Sequence, residues 1–251
     1  MIYAVANQKG GVGKTTTTVN LAACLADGGA RVLLIDLDPQ ANASSGLGYR
    51  GGGGGTTIAD VILDGAPVRD AIRPTKIPNL DIVTSHPDLS SAAIELPGRE
   101  GRERILAQAL AAIRDDYEFI FIDCPPSLDL LAVNALAAAD RLIIPVQCEY
   151  YALEGLSRLM ETILGVRTHL NPQLGLGGLL LTMHDTRTRV SGDVVAEVRR
   201  HFPDAVFATV VPRNVRITEA PSYGEPVTRY DPNCAGAQAY LAVAKEVVAR
   251  G

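Results

Sequence analysis

Asn7-Gln8-Lys9-Gly10-Gly11-Val12-Gly13-Lys14-Thr15-Thr16 is the stretch on which the fold turns. An apolar run, Ile2-Tyr3-Ala4-Val5-Ala6, precedes it, and Val19, Leu21, Ala22 and Leu25 follow at helical spacing. Strand, glycine loop and helix in that order make a phosphate-binding P-loop. Glycines let backbone N–H groups turn toward phosphate oxygens, and the helix N-terminus adds partial positive charge. Lys14 is placed to reach the terminal phosphates, and the Thr15 hydroxyl to ligate Mg²⁺. The usual pattern needs a glycine at position 8, where this chain has Gln8, and a second lysine stands at position 9. Only four lysines occur against 19 arginines, and two of the four lie in this loop.

Two acidic strand ends complete the expected site. Asp36-Leu37-Asp38-Pro39-Gln40 follows the second apolar run, one β-α-β unit after the loop. This places carboxylates at the C-terminal edge of a parallel sheet, with Asp36 and Asp38 on the same side. Phe119-Ile120-Phe121-Ile122-Asp123 ends in a carboxylate suited to hold Mg²⁺, and Pro125-Pro126 stops that strand beside the phosphates. Either acidic motif alone is common as a turn or strand end; the ordered set is what points to ATP chemistry.

On these residues the chain resembles the deviant Walker-A ATPases and, within them, the ParA/Soj chromosome-partitioning branch. The resemblance extends to Pro145–Gly155, with Glu149 and Tyr150, and to Val211–Arg216 with Glu219–Ser222. It implies ATP and Mg²⁺ as cofactors, with slow basal hydrolysis to ADP and phosphate. Residues Gln8 to Thr16 would surround the nucleotide, with Glu149 and Tyr150 near both the dimer interface and the nucleotide and Pro212 and Asn214 at the adenine. Thr15, Asp36 and Asp123 would serve the metal, and Asp38 the attacking water. Lys9 would cross a sandwich dimer to the partner's phosphates, which makes Lys9, Lys14 and Asp38 the catalytic set. Expected partners are a second copy, nonspecific double-stranded DNA and a centromere-binding ParB/Spo0J-like adaptor.

Composition frames the rest. A chain of 251 residues, 47% hydrophobic, buries a core of ordinary single-domain size, so one α/β domain spanning 1–251 is expected. Continuous apolar strands alternating with helical patterns predict a mainly parallel sheet covered on both faces. The strands expected are Ile2–Asn7, Arg31–Asp36, Leu80–Thr84, Glu118–Asp123, Arg141–Val146, Leu176–Thr182 and Val206–Val211. The helices are Lys14–Asp27, Glu103–Asp115, Leu128–Ala138, Tyr151–Leu170, Gly192–His201 and Ala235–Ala249. Leu153, Leu156, Leu159, Met160, Ile163 and Leu164 read as one core-facing stripe, and Gly51–Gly55 as a surface loop. No apolar run approaches the ~20 residues of a membrane helix, and the first strand leaves no room for a signal peptide. Cys24, Cys124, Cys148 and Cys234 are scattered, as reduced thiols would be. A cytoplasmic, nucleoid-associated protein is expected.

Net charge is −5, which does not suggest a nucleic-acid binder. From Asp185 to Arg216, however, six arginines face four acidic residues, a local +2. Arg187, Arg189, Arg213 and Arg216 are the candidates for phosphate contacts, Arg187 and Arg216 because the resemblance implies DNA-binding arginines at those positions, with contacts weak in one subunit and doubled in a dimer. The alternative for each is a solvated helix face. Three rival functions share the motifs, one of them a metabolic P-loop ligase, for which no substrate-specific feature stands in the sequence. A MinD-like membrane-cycling ATPase would want a basic amphipathic C-terminal helix, whereas Ala239–Gly251 carries Lys245 and Arg250 against Glu246 and no Phe or Trp. An iron–sulfur carrier would want paired cysteines, and Cys124 has no neighbour.

Overall fold

The computed structural model describes residues 1–50, 54–149 and 154–250, and in 154–158 only the backbone. In chain order the elements are β1 (Ile2–Val5), α1 (Lys14–Asp27), β2 (Val32–Asp36), α2 (Asn42–Gly46), α3 (Ile58–Leu63), α4 (Val68–Ala71), β3 (Ile72–Pro74) and β4 (Leu80–Val83). There follow α5 (Ala92–Glu95), α6 (Ile105–Ala111), β5 (Phe119–Asp123), α7 (Leu130–Ala138), β6 (Arg141–Gln147), α8 (Glu154–His169) and β7 (Gly175–Thr182). The chain closes through α9 (Arg189–His201), α10 (Val215–Glu219), α11 (Val227–Tyr230) and α12 (Ala235–Arg250).

Seven strands form one sheet in the order β3-β4-β2-β5-β1-β6-β7, parallel except for β3 against β4. This is the α/β architecture the strand pattern predicts. The central strands are buried along almost their whole length because apolar layers cover both faces. On one face Tyr3, Val5, Leu34 and Phe121 pack against Leu21 and Leu25 of α1 and Tyr240 and Val243 of α12. On the other, Ala4, Leu33, Ile35 and Ile122 meet Ile58 and Ile62 of α3, Leu106 of α6, Leu136 of α7 and Leu159 of α8. Parallel pairing places Val5 opposite Asp123 and Asp36 opposite Asp123, so three strand ends open toward one edge.

Differences from expectation have local causes. Val206–Val211 is not a strand. Phe207 and Val211 donate to Leu179 and Leu181 of β7, but between them the Ala208 and Thr209 N–H groups donate to the Glu246 carboxylate of α12, at 2.7 and 2.8 Å. Only isolated bridges, Leu179 with Val206 and His184 with Pro212, remain. The short antiparallel β3, ending at Pro74, lacks an apolar run and was not expected. In the α8 stripe, Leu159 and Ile163 are buried but Leu164 is 58% exposed, and Val166 takes the core position instead. Leu153, the Leu156 side chain and Tyr150 lie outside the described residues, as do positions 51–53 of the Gly51–Gly55 loop.

Gly178 sits in β7 at φ +152°, where an added Cβ would lie 2.6 Å from Phe207 and 2.8 Å from the Arg250 guanidinium. Both neighbours are held: the Phe207 ring is buried, and Arg250 stacks on it at 4.3 Å and donates to the Val206 carbonyl. Gly178→Ala is therefore expected to cost about 1–3 kcal/mol, seen as a lowered urea midpoint; an unchanged midpoint would show that this corner repacks freely.

Candidate nucleotide and metal site

The phosphate loop takes its shape from two glycines in the left-handed region, Gly11 at φ +73° and Gly13 at φ +90°. A side chain at either position would strain the backbone. Gly13 is the N-cap of α1 and supplies no side-chain acceptor, so the first N–H groups of the helix carry no side-chain cap at the end of its dipole. The rest of the loop is pinned from outside. Asn7 donates to the Pro145 carbonyl at 2.7 Å and accepts the Lys9 N–H at 3.0 Å. The Thr182 hydroxyl donates to the Val12 carbonyl at 2.8 Å, and the Val12 side chain is buried.

A cavity of about 460 Å³ opens above this loop. Gly10, Gly11, Gly13, Lys14, Thr15, Thr16 and Asp38 line it at one end. Asn42, Ser45 and Gly46 of α2 form a side wall, and Ile217, Ala220, Pro221, Pro226 and Val227 an apolar far end. A cationic, N–H-rich end and an apolar end suit a triphosphate and its base. A second cleft of about 300 Å³ shares Asp38, Gln40 and Pro126 with the first, so Asp38 stands in the wall between two openings.

Beneath the phosphate end lie three carboxylates and one cation. Asp36 and Asp123 are wholly buried, Asp38 is 6% exposed and Lys14 7%. Burial pushes the Asp123 carboxyl well above the usual range, and the neighbouring Asp36 charge pushes it further, while the Thr15 and Thr18 hydroxyls pull it down. Asp36 is raised to about 6, first by burial, against hydrogen bonds from Ser44 and the Asp38 N–H. Burial lowers the Lys14 ammonium, and the charge of Asp123 is the largest influence opposing it. The Lys14 ammonium donates to the Lys9 carbonyl at 3.3 Å.

Asp123 tests whether a divalent cation fits. Its Oδ1 accepts the Thr18 hydroxyl at 3.2 Å, but its buried Oδ2 has no hydrogen-bond partner. An orphaned carboxylate oxygen beside the Thr15 hydroxyl, at the phosphate end, is the hard-oxygen environment Mg²⁺ takes. Thr15 and Asp123 would hold the ion. Both oxygens of Asp36 are occupied by N–H and O–H donors, so Asp36 supports this shell from behind and does not reach the cavity.

The other expected residues fall outside the lining. Gln8, Lys9 and Val12 belong to the loop but not to the cavity wall. The Lys9 ammonium lies 3.8 Å from Glu149, which also accepts Gln147 at 2.6 Å and faces Arg213 at 3.5 Å. Pro212 and Asn214 do not line the cavity either: Pro212 bridges to His184, and the Asn214 side chain caps α10 through the Arg216 N–H at 2.8 Å. The same segment reaches the apolar end through Ile217, Ala220 and Pro221. Motif reading missed α2 and Glu225–Val227, which only tertiary packing brings here. One signal was Asn20, a polar residue on the buried face of α1: it accepts the Val227 N–H at 2.8 Å and ties that segment to the loop helix.

The candidate DNA arginines are exposed, and each has an acidic neighbour. Arg187 pairs bidentately with Asp185 at 2.9 and 2.7 Å, Arg189 with Asp193 at 3.7 Å, and Arg216 with Glu219 at 2.8 Å and Asp231 at 3.3 Å. With Arg213 beside Glu149, this is a charge-paired surface rather than an open basic patch.

Fold and site together define a P-loop ATPase that works with ATP and Mg²⁺. A family profile described as an AAA domain matches residues 1–176. The chain is 53% identical to the sporulation initiation inhibitor protein Soj of Bacillus subtilis over 250 residues, covering 100% of this chain and 99% of that protein. It is also 53% identical to the chromosome partitioning protein ParA of Caulobacter vibrioides, covering 99% and 94%. The chain belongs to the ParA/Soj family of chromosome-partitioning ATPases. Among solved structures it is similar to cobyrinic acid a,c-diamide synthase of Mycobacterium smegmatis with bound ADP and magnesium (36% identity, 97% and 92% covered, TM-score 0.85). It is also similar to the cell division ATPase MinD of Pyrococcus furiosus (26%, 100% and 99%, 0.82).

Proposed function

We propose that this chain is an ATP-switched DNA-partitioning protein: an ATP-bound homodimer coats double-stranded DNA without sequence preference and leaves it after hydrolysis. The observation that carries this reading is the position of Lys9, in the phosphate loop yet outside the cavity of its own subunit. A loop cation that does not face its own phosphates is available to a partner's.

Within one subunit, loop N–H groups and Lys14 hold the phosphates, the apolar far end takes the base, and Asp38 orients water at the wall between the two openings. Thr15 and Asp123 would hold Mg²⁺, which would supply neutralisation of phosphate charge. Slow basal turnover, raised by a centromere-bound ParB/Spo0J-like adaptor, completes the cycle, with the protein cytoplasmic and nucleoid-associated. No described helix is long and apolar enough to cross a membrane. Tyr240, Val243 and Val247 of α12 are buried in the core shared with α1, which favours DNA over a lipid surface as the second partner.

The test is DNA binding with ATP, with ADP and without nucleotide, for wild type and Asp38→Ala. Binding only with ATP, prolonged by Asp38→Ala, is the expected outcome; equal binding in all three conditions would overturn the switch. For the surface itself, Arg187→Glu and Arg216→Glu should each abolish ATP-dependent co-sedimentation with DNA while ATP binding survives. Reversing one charge next to Asp185, or next to Glu219 and Asp231, leaves a local acidic patch where a phosphate would sit. Undiminished DNA binding at low salt in both variants would remove these arginines from the interface.

A further inference from the structure

Ser44 lies inside α2, wholly buried, and gives two hydrogen bonds to a single oxygen. Its N–H and its hydroxyl both donate to Asp36 Oδ2, each at 2.7 Å. Two short bonds to a charged acceptor fix the plane of that carboxylate. The other oxygen, Asp36 Oδ1, accepts the N–H of Asp38 at 3.2 Å, and Asp38 Oδ1 accepts the Gln40 N–H at 3.0 Å. The orientation of Asp38 in the cavity wall is thus inherited, through Asp36, from Ser44.

The hydroxyl has a second contact. Its oxygen accepts the Ser85 N–H at 3.1 Å, just beyond the end of β4. Ser44 therefore joins β2 and β4 at the catalytic edge of the sheet. Its helix neighbours Asn42, Ser45 and Gly46 line the cavity, so one five-residue helix both walls the cavity and holds the carboxylate. A shift of α2 against bound nucleotide cannot leave Asp36 unmoved.

We infer that Ser44 is a positioning residue for hydrolysis, holding Asp36 so that Asp38 faces the attacking water and coupling that geometry to nucleotide seated against α2. This rests on the reading of Asp38 given above. Ser44 itself touches neither the reacting atoms nor the cavity.

Ser44→Ala keeps the backbone bond and removes only the hydroxyl. In single-turnover ATP hydrolysis its rate is expected to fall between about tenfold and a hundredfold. The Kd for a fluorescent ATP analogue should change by less than about twofold, because the lost interaction matters only for the chemical step. Ser44→Thr, which restores a hydroxyl, should recover most of the rate. In the protein without nucleotide or metal, the Ser85 amide should exchange faster in Ser44→Ala, its acceptor gone. A wild-type rate in Ser44→Ala, or an unchanged Ser85 amide, would overturn the inference. So would a parallel loss of binding and turnover that Ser44→Thr does not rescue, since that marks a merely structural role. Asp38→Ala separates the two layers: if it hydrolyses at the wild-type rate, the reading of Asp38 fails and the inference with it. If Asp38→Ala is inactive and Ser44→Ala is unimpaired, only the inference fails.

Discussion

Lys9→Ala is expected to abolish ATP-dependent dimerisation and to lower hydrolysis by roughly a hundredfold or more, while weakening ATP binding by less than about threefold. The asymmetry follows from how the residue divides its work. Its backbone serves its own loop: the N–H donates to Asn7 and the carbonyl accepts Lys14. Alanine preserves both. Its side chain leaves the loop toward Glu149, 3.8 Å away, with the lysine 40% and the glutamate 50% exposed. An ion pair so exposed holds the lysine by no more than about 1 kcal/mol, so the ammonium is readily released to a phosphate of a second subunit. Sedimentation velocity with ATP and with ADP, beside single-turnover hydrolysis and analogue binding, measures the three quantities. If binding and hydrolysis fall by the same large factor in a chain that stays monomeric, Lys9 serves its own nucleotide and the two-subunit reading is lost. Lys9→Arg is expected to rescue poorly, because a wide planar guanidinium does not replace a compact ammonium on a flexible stem.

Lys9 also shows where the sequence is legible and where it stops. The phosphate loop, Asp38 and Asp123 are readable because their chemistry is local: φ > 0 at Gly11 and Gly13 demands glycine, and continuous apolar runs aim their terminal carboxylates at the sheet edge. Six of the seven expected strands appear, since a strand buried on both faces declares itself in its own residues. The exception, Val206–Val211, is apolar enough for a strand, but Glu246 claims two of its N–H groups from 37 and 38 residues away. Pro212 and Asn214 fail as cavity lining for a related reason. A cap and a bridge occupy them, and the apolar wall is made by Ile217, Ala220 and Pro221 a few residues on. Ser44 left no trace in a motif, because its role depends on which strands lie on either side of α2. Likewise the arginines stood out by count; Asp185 and Asp193 were legible beside them in the sequence, whereas the pairing of Arg213 with Glu149 and of Arg216 with Asp231 is made only in space.

Replacing Lys14 by methionine is the change with the largest expected effect on one subunit. Methionine fills similar space and removes the one cation that, among the described residues, sits with Asp36, Asp38 and Asp123. With ATP present, a buried charge-assisted phosphate contact is lost, about 3 kcal/mol or roughly a hundredfold in Kd. Without ATP the effect depends on pH, and its sign is fixed by the carboxylates. Asp36, raised to about 6, binds a proton in the folded chain that an unfolded aspartate, with a pKa near 3.9, has already released. Stability therefore declines as pH rises from about 4 to about 6, through the window between the two values. Asp123, raised first by burial and then by the Asp36 charge, contributes a decline of the same sign. The charge of Asp123 raises the Lys14 ammonium, and by reciprocity Lys14 holds Asp123 down, limiting that loss. Removing it lets the loss run to higher pH. Measured without nucleotide or Mg²⁺, the melting temperature of Lys14→Met relative to wild type should decline from pH 5 to pH 7, because burial makes the ammonium a cost that the ionised carboxylates offset only as pH rises. A difference that stays constant, or one that grows in favour of the variant toward pH 7, would mean that Lys14 does not act as the countercharge. The cluster would then depend on hydrogen bonds alone, with Ser44 carrying more of the burden than the lysine does.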